Sequence, residues 1–183
     1  GAKNDLSSEV EDAPEKEQEA ISYEPMMAKL ASGVFDDKDW IFEKKLDGYR
    51  AIAYTGKKVK LISRNGIDFT AKYPPVVKAL SDLPNEAVID GELVVEDKNG
   101  KSYFQEIQNY DPSNKKLNLK YYVFDLLALN GHDLRQMELM KRKELLKALI
   151  TANPDPAIIY SEHIIEKGKQ LFAEAEENGW EGI

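Results

Sequence analysis

The stretch Trp40-Ile41-Phe42-Glu43-Lys44-Lys45-Leu46-Asp47-Gly48-Tyr49-Arg50 constrains this chain more than any other. Read as a β-strand, it sends successive side chains to opposite faces. Ile41, Glu43, Lys45 and Asp47 then share one face, and Phe42, Lys44 and Leu46 the other. A lysine flanked at a spacing of two by Glu43 and Asp47 sits in a tight charge cluster, and Gly48 lets the chain turn sharply behind it. Arg50 follows within reach of an anion bound there. The combination suggests amine chemistry on a phosphorylated substrate. A half-exposed strand with solvated charges accounts for the spacing equally well.

Two further strands are informative. Over Ala87–Glu96, Val88, Asp90, Glu92 and Val94 share a face, with Ile89, Gly91, Leu93 and Val95 on the other. Two carboxylates two apart on one strand face can hold a divalent cation or ribose hydroxyls; a solvent-facing acidic pair is the plain alternative. Leu117–Leu129 is a long apolar run that suits burial on both faces, which makes Phe124 and Tyr122 ordinary core residues on pattern alone.

Between and after these lie the connecting elements. Ala51–Arg64 reads as a hairpin around Thr55-Gly56-Lys57, closed by the turn Ser63-Arg64-Asn65-Gly66. Pro74-Pro75 opens a short helix, Val76–Leu83. Ser102 is expected to cap another that carries Phe104 and Ile107 into the core. Met137–Ile150 and Gly168–Asn178 are amphipathic helices, the first striped by Leu139, Leu146, Leu149 and Ile150 and the second stopped by Gly179. His132 and His163 stand alone, without a metal-ligand pattern.

Charge first argues against a nucleic-acid partner, because the net charge is −8. It is unevenly placed, however. Residues 1–24 hold eight carboxylates against Lys3 and Lys16, and so account for six of the eight net negative charges. Residues 1–22, acidic and poor in aromatics, read as a disordered tail or linker, and 23–183 as the folded domain. Basic clusters at Lys57, Lys58, Lys60 and Arg64, at Lys115, Lys116 and Lys120, and at Lys141, Arg142 and Lys143 are placed to meet phosphates or to form solvated faces. The sequence has no cysteine, which suits a reducing compartment, and no apolar run of membrane-spanning length.

Lys45-Leu46-Asp47-Gly48-Tyr49-Arg50 resembles the lysine-x-Asp-Gly-x-Arg signature of covalent nucleotidyltransferases: ATP-dependent DNA ligases, RNA ligases and capping enzymes. With Pro25–Leu30, Phe35-Asp36-Asp37 and Glu43, it most resembles the ligase domain of bacterial end-joining ligases of the D type. Asp90-Gly91-Glu92-Leu93, Lys120–Leu127 and Glu181-Gly182 resemble further motifs of that family, in the same order. The resemblance implies an α+β fold of two antiparallel sheets with flanking helices and the nucleotide between them. It also implies a role for each residue: Lys45 as nucleophile, Glu43 as adenine contact, Arg50 on the ribose, and Phe124 stacked on the base. Glu92 would serve ribose or metal, Asp47 and Glu181 the metal, and Arg64 the substrate. The implied cofactors are ATP and Mg²⁺ or Mn²⁺. The implied partners are nicked or broken double-stranded DNA and further repair domains on the same parent chain, in the bacterial cytoplasm at the nucleoid. In relatives a lysine-x-lysine pair and an OB-fold domain follow the position of Ile183, so residues 1–183 alone are expected to form a C-terminally incomplete domain that binds ATP weakly and ligates poorly or not at all.

Attack on the α-phosphorus needs a neutral amine, and an unperturbed lysine offers about one in a few thousand at neutral pH. Flanking carboxylates raise its pKa, so a bound cation that draws off their charge is the consistent arrangement. RNA ligase or capping-type transfer, and an inert module that only binds nucleotide or DNA, remain as alternatives.

Overall fold

The computed structural model describes residues 6–15 and 22–183. Two sheets form the scaffold. The larger has strands in the order β3-β2-β4-β5-β6: β3 is Lys60–Ser63, β2 Tyr49–Tyr54, β4 Ala87–Glu96, β5 Asn118–Leu129 and β6 His132–Asp133. These pairs are antiparallel, while β7 (Ile158–Tyr160) joins β5 in parallel, the one departure from the expected pattern. The smaller sheet pairs β1 (Asp37–Glu43) with β8 (His163–Glu166). Helices α1 (Pro74–Ser81) and α3 (Leu139–Ala152) flank the large sheet, α2 (Phe104–Gln108) crosses beside β4, and α4 (Gly168–Asn178) lies on the small sheet.

The main core follows from the alternation in β4 and β5. Ile89, Leu93 and Val95 face one side with Tyr121, Val123, Leu126 and Leu129, and α1 and α3 cover them with Val76, Leu80, Leu146 and Leu149. Tyr121 is wholly buried, and its hydroxyl donates to the carbonyls of Ala51 and Ile89 at 2.8 and 3.1 Å, so burial leaves that polar group satisfied. Its ring passes beneath Gly91, where a Cβ would stand 2.4 Å from Tyr121 Cε2. Glycine between Asp90 and Glu92 is therefore a packing requirement.

The strand read across Trp40–Arg50 is broken. β1 ends at Glu43, Lys45 forms a lone bridge to Gly182, and β2 starts at Tyr49, so the shared face of Ile41 and Glu43 does not run on to Lys45 and Asp47. Nor is Gly48 there for a turn of positive φ. Its backbone presses on β4, and a Cβ would lie 2.0 Å from the Leu93 carbonyl oxygen.

Residues 6–15 depart from the expected free tail. Leu6 and Val10 flank a single 3₁₀ turn, Ser7–Val10, and are buried in the main core. The Asp133 amide donates to the Pro14 carbonyl at 2.7 Å, and His132 Nδ1 lies 2.8 Å from the Ala13 carbonyl. Two apolar residues four apart give an otherwise acidic segment something to bury. The rest of the expected tail, apart from Ser22, lies outside the described residues. Ser102 does not cap α2; its hydroxyl instead accepts the Asp47 amide at 3.2 Å. The basic run at 141–143 is not a solvated face either, because Arg142 and Lys143 are buried beneath β5.

Candidate active site

β2 and β4 set Arg50 directly opposite Glu92. Asp90 lies two residues before Glu92 on the same face of β4, within diagonal reach of a long cross-strand side chain. Arg50 takes it: Nε and Nη2 donate to the two carboxylate oxygens of Asp90 at 3.0 and 2.7 Å, and Nη2 also reaches the Met26 carbonyl at 2.9 Å. Asp90 is completely buried. It is the anchor of Arg50, not half of a cation site with Glu92. The Arg50 guanidinium also lies 5.1 Å from the centre of the Phe124 ring, close enough for a cation–π contact on one face of that ring.

Phe124 owes its position to a bulge. β4 and β5 pair Asp90 with Asp125 and Gly91 with Val123, so Phe124 is an extra residue without a partner opposite. Bulges of this kind re-aim a side chain. The helix α3 holds the bulge from behind. Arg142 Nε and Nη2 grip the two oxygens of Asp125 at 2.8 and 3.1 Å, and Lys143 Nζ donates to the Phe124 carbonyl at 2.6 Å. The same Nζ donates to Glu43 Oε1 at 2.7 Å, which ties the end of β1 to β5.

Lys45 lies at the other side of this cluster. Its amide donates to the Gly182 carbonyl at 2.9 Å, and its Nζ lies 2.8 Å from Glu181 Oε1. The bond to Glu181, with Asp47 and Glu92 nearby, holds the Lys45 amine above the usual lysine range. The side chain is more than half exposed yet directed at these carboxylates. Lys44 points elsewhere: its Nζ lies 4.5 Å from the Trp180 ring centre and donates to the Gly100 carbonyl at 3.2 Å. Burial lowers its pKa. Two neighbouring lysines thus occupy opposite electrostatic settings, and only Lys45 is beside Glu92 and Glu181.

Glu92 is the most perturbed carboxyl of the site. Burial pushes it up to about 7; Arg50 and the Gly48 amide pull it down, while Asp90 and Glu181 add to the rise. Burial is the main cause of that rise, and the neighbouring carboxylates of Glu92 and Glu181 suit a divalent cation. Asp47 stands near Lys45 as well, and its Oδ2 accepts the Phe104 amide at 3.3 Å. Among the described residues no three acidic, histidine or cysteine side chains form a metal cluster. Magnesium characteristically uses one or two carboxylates together with substrate phosphates, so a complete protein cage is not required.

Six of the residues singled out from sequence are linked here: Glu43 and Phe124 through Lys143, Phe124 to Arg50, Arg50 to Glu92 across β2 and β4, and Glu92 and Glu181 to the charge of Lys45. Asp47 buttresses α2. Arg64 is exposed at the edge, its amide bonded to the Arg50 carbonyl at 3.1 Å. Sequence reasoning missed the anchoring role of Asp90 and of Asp125, and it took Arg142 and Lys143 for a surface cluster where the structure buries them as anchors. A signal for Lys143 did exist: it lies on the apolar stripe of α3, four residues after Leu139 and three before Leu146.

The family described as ATP dependent DNA ligase domain matches residues 25–183. The multifunctional non-homologous end joining protein LigD of Pseudomonas aeruginosa is 37% identical over 147 residues, covering 79% of this chain and 18% of that protein. The LigD DNA repair protein of Mycobacterium tuberculosis is 32% identical over 175 residues, covering 92% of this chain and 22% of that one. Among solved structures, the mycobacterial DNA ligase D complexed with ATP and MES is similar with a TM-score of 0.75 at 33% identity, over 87% of this chain and 52% of that chain. The chain spans about a fifth of these curated relatives and about half of that solved ligase chain.

Proposed function

Because this chain belongs to the ATP-dependent DNA ligase domain family, we propose that it carries the adenylation step of DNA joining, with Lys45 as the nucleophile. The observation that supports this reading most is the position of Lys45 Nζ, 2.8 Å from Glu181 and beside Glu92, across the site from Glu43 and Phe124. The Nζ lone pair attacks the α-phosphorus of ATP as the bond to pyrophosphate breaks, which leaves a lysyl-AMP phosphoramidate. The proton must leave Nζ first, and Glu181 Oε1 is its nearest acceptor. Pairing with Glu181 stores Lys45 as the ammonium, so nucleotide entry has to loosen this contact before attack.

The other side chains divide the binding work. Phe124, covered on one face by Arg50, offers the other to adenine. Glu43 meets the base edge, Arg50 and Glu92 the ribose, and Arg64 the phosphates or DNA. Glu92 and Glu181, with Asp47, would hold Mg²⁺ or Mn²⁺, which supplies charge neutralisation at the phosphate oxygens. The AMP then passes to a 5′-phosphate at a nick or break in duplex DNA, together with further repair domains of the parent protein, in the bacterial cytoplasm. Among the described residues no helix is long and apolar enough to cross a membrane.

The test is intact-mass analysis after incubation with ATP and Mg²⁺, with GTP in parallel. One AMP adduct on the wild type, none on Lys45→Ala and none from GTP is the expected result. An adduct that persists in Lys45→Ala overturns the assignment of the nucleophile, and labelling by GTP favours a capping-type transferase.

A further inference from the structure

Lys143 is 1% exposed, and a buried ammonium persists only where its N–H groups find acceptors. Its Nζ donates to Glu43 Oε1 at 2.7 Å and to the Phe124 carbonyl at 2.6 Å, and lies 5.6 Å from the centre of the Tyr160 ring. Both hydrogen-bonding partners belong to residues assigned above to the adenine. We propose that Lys143 is a positioning residue for base selectivity, acting through Glu43 to make the pocket accept a 6-amino purine and reject a 6-oxo purine, while its bond to the Phe124 carbonyl holds the platform that serves both bases alike.

Each partner needs such a fixture. Phe124 is the bulged residue of β5, so no residue of β4 stands opposite it to fix its backbone, and its carbonyl bonds to Lys143 instead. Glu43 ends β1, where the chain leaves the small sheet, and its side chain is 31% exposed. Its Oε1 is taken by Lys143, while Oε2 accepts no hydrogen bond among the described residues. A carboxylate is an acceptor only. Oε2 therefore pairs with the amino group at position 6 of adenine, whereas a 6-oxo group would set one acceptor against another. Released from Lys143, Glu43 can swing toward water, and the mismatch loses its penalty.

The proposal rests on the adenylation reading, and equilibrium binding separates the two. Affinities for ATP and ITP, which differ in the 6-substituent, are measured for wild type, Lys143→Met, Glu43→Gln and the double variant. Wild type should prefer ATP by at least about tenfold, since a site built to hydrogen-bond one group rejects the analogue that cannot make the bond. In Lys143→Met the preference should fall to within about threefold, with ATP weakened and ITP little changed. The double variant leaves no buried charge unpaired and should show the preference of Glu43→Gln alone, as expected of a residue that acts through another. If Lys143→Met does not fold by circular dichroism, that last comparison decides. Loss of affinity for both nucleotides by the same factor, with the preference intact, would overturn the proposal, as would a double variant that differs from Glu43→Gln. A wild type that binds neither nucleotide, or both equally, overturns the adenine pocket itself.

Discussion

Replacing Glu92 by glutamine should make this protein more stable, and more so as the pH rises. Burial beside Asp90 and Glu181 raises the Glu92 carboxyl from 4.5 to about 7, so the fold binds that proton more tightly than the unfolded chain does. Between these values the native state holds more protons than the unfolded state, and stability falls with rising pH. The contribution is intact below about 4.5 and lost as the pH passes 7. A rise of this size corresponds to about 3 kcal/mol, and water reaching a half-buried group trims it to about 1–2 kcal/mol. Glutamine has the same shape and does not titrate, so the Glu92→Gln advantage over wild type should grow by about 1–2 kcal/mol from pH 5 to pH 8. In a domain of this length that is a change of several degrees in Tm. Urea denaturation at the two pH values measures it directly. Added Mg²⁺ should shrink the advantage at pH 8 by stabilising wild type alone. A stability difference that is the same at both pH values would refute the account of Glu92 as a carboxyl that burial keeps protonated.

Other perturbations probe the rest of the site. Lys44→Met should keep the AMP adduct that Lys45→Ala loses, at a cost of about 0.5–1 kcal/mol from the contact with Trp180, read as a change in tryptophan fluorescence and in the urea midpoint. Arg50→Met strands the buried Asp90 carboxylate and should cost about 3–5 kcal/mol; in Arg50→Met/Asp90→Asn thermal denaturation should show most of that loss recovered. Gly48→Ala drives a methyl into the Leu93 carbonyl and should lower stability by about 1–3 kcal/mol while weakening ATP binding, whereas the same change at the exposed turn residue Gly33, which has no neighbour within 4 Å, should leave ATP binding unchanged.

Several features were legible before any coordinates. The alternation of Ala87–Glu96 and the apolar run to Leu129 place the two central strands of the large sheet, and the Lys45–Arg50 signature with its spaced companions points to the family and supplies the candidate site residues. Local chemistry suffices for these, since side-chain alternation is written into every strand, whereas Gly48, which reads as a turn, marks a close approach to β4 that only the fold reveals. The clamps are another matter. Arg50 reaches Asp90 across 40 residues, and Lys143 reaches Glu43 across 100. The place of Lys143 on the apolar stripe of α3 hints at burial, but nothing near it in sequence reveals its acceptors, which come from β1 and from a bulge in β5 that only the sheet register creates. Which carboxylates stay free and which are spent on arginines is likewise a property of strand pairing. A one-residue change of register would turn Asp90 away from Arg50. Residue order specifies which chemical groups this chain can bring together; strand pairing selects which of them become anchors and which remain open to a nucleotide, because pairing between distant charges depends on distances that only the folded sheets fix.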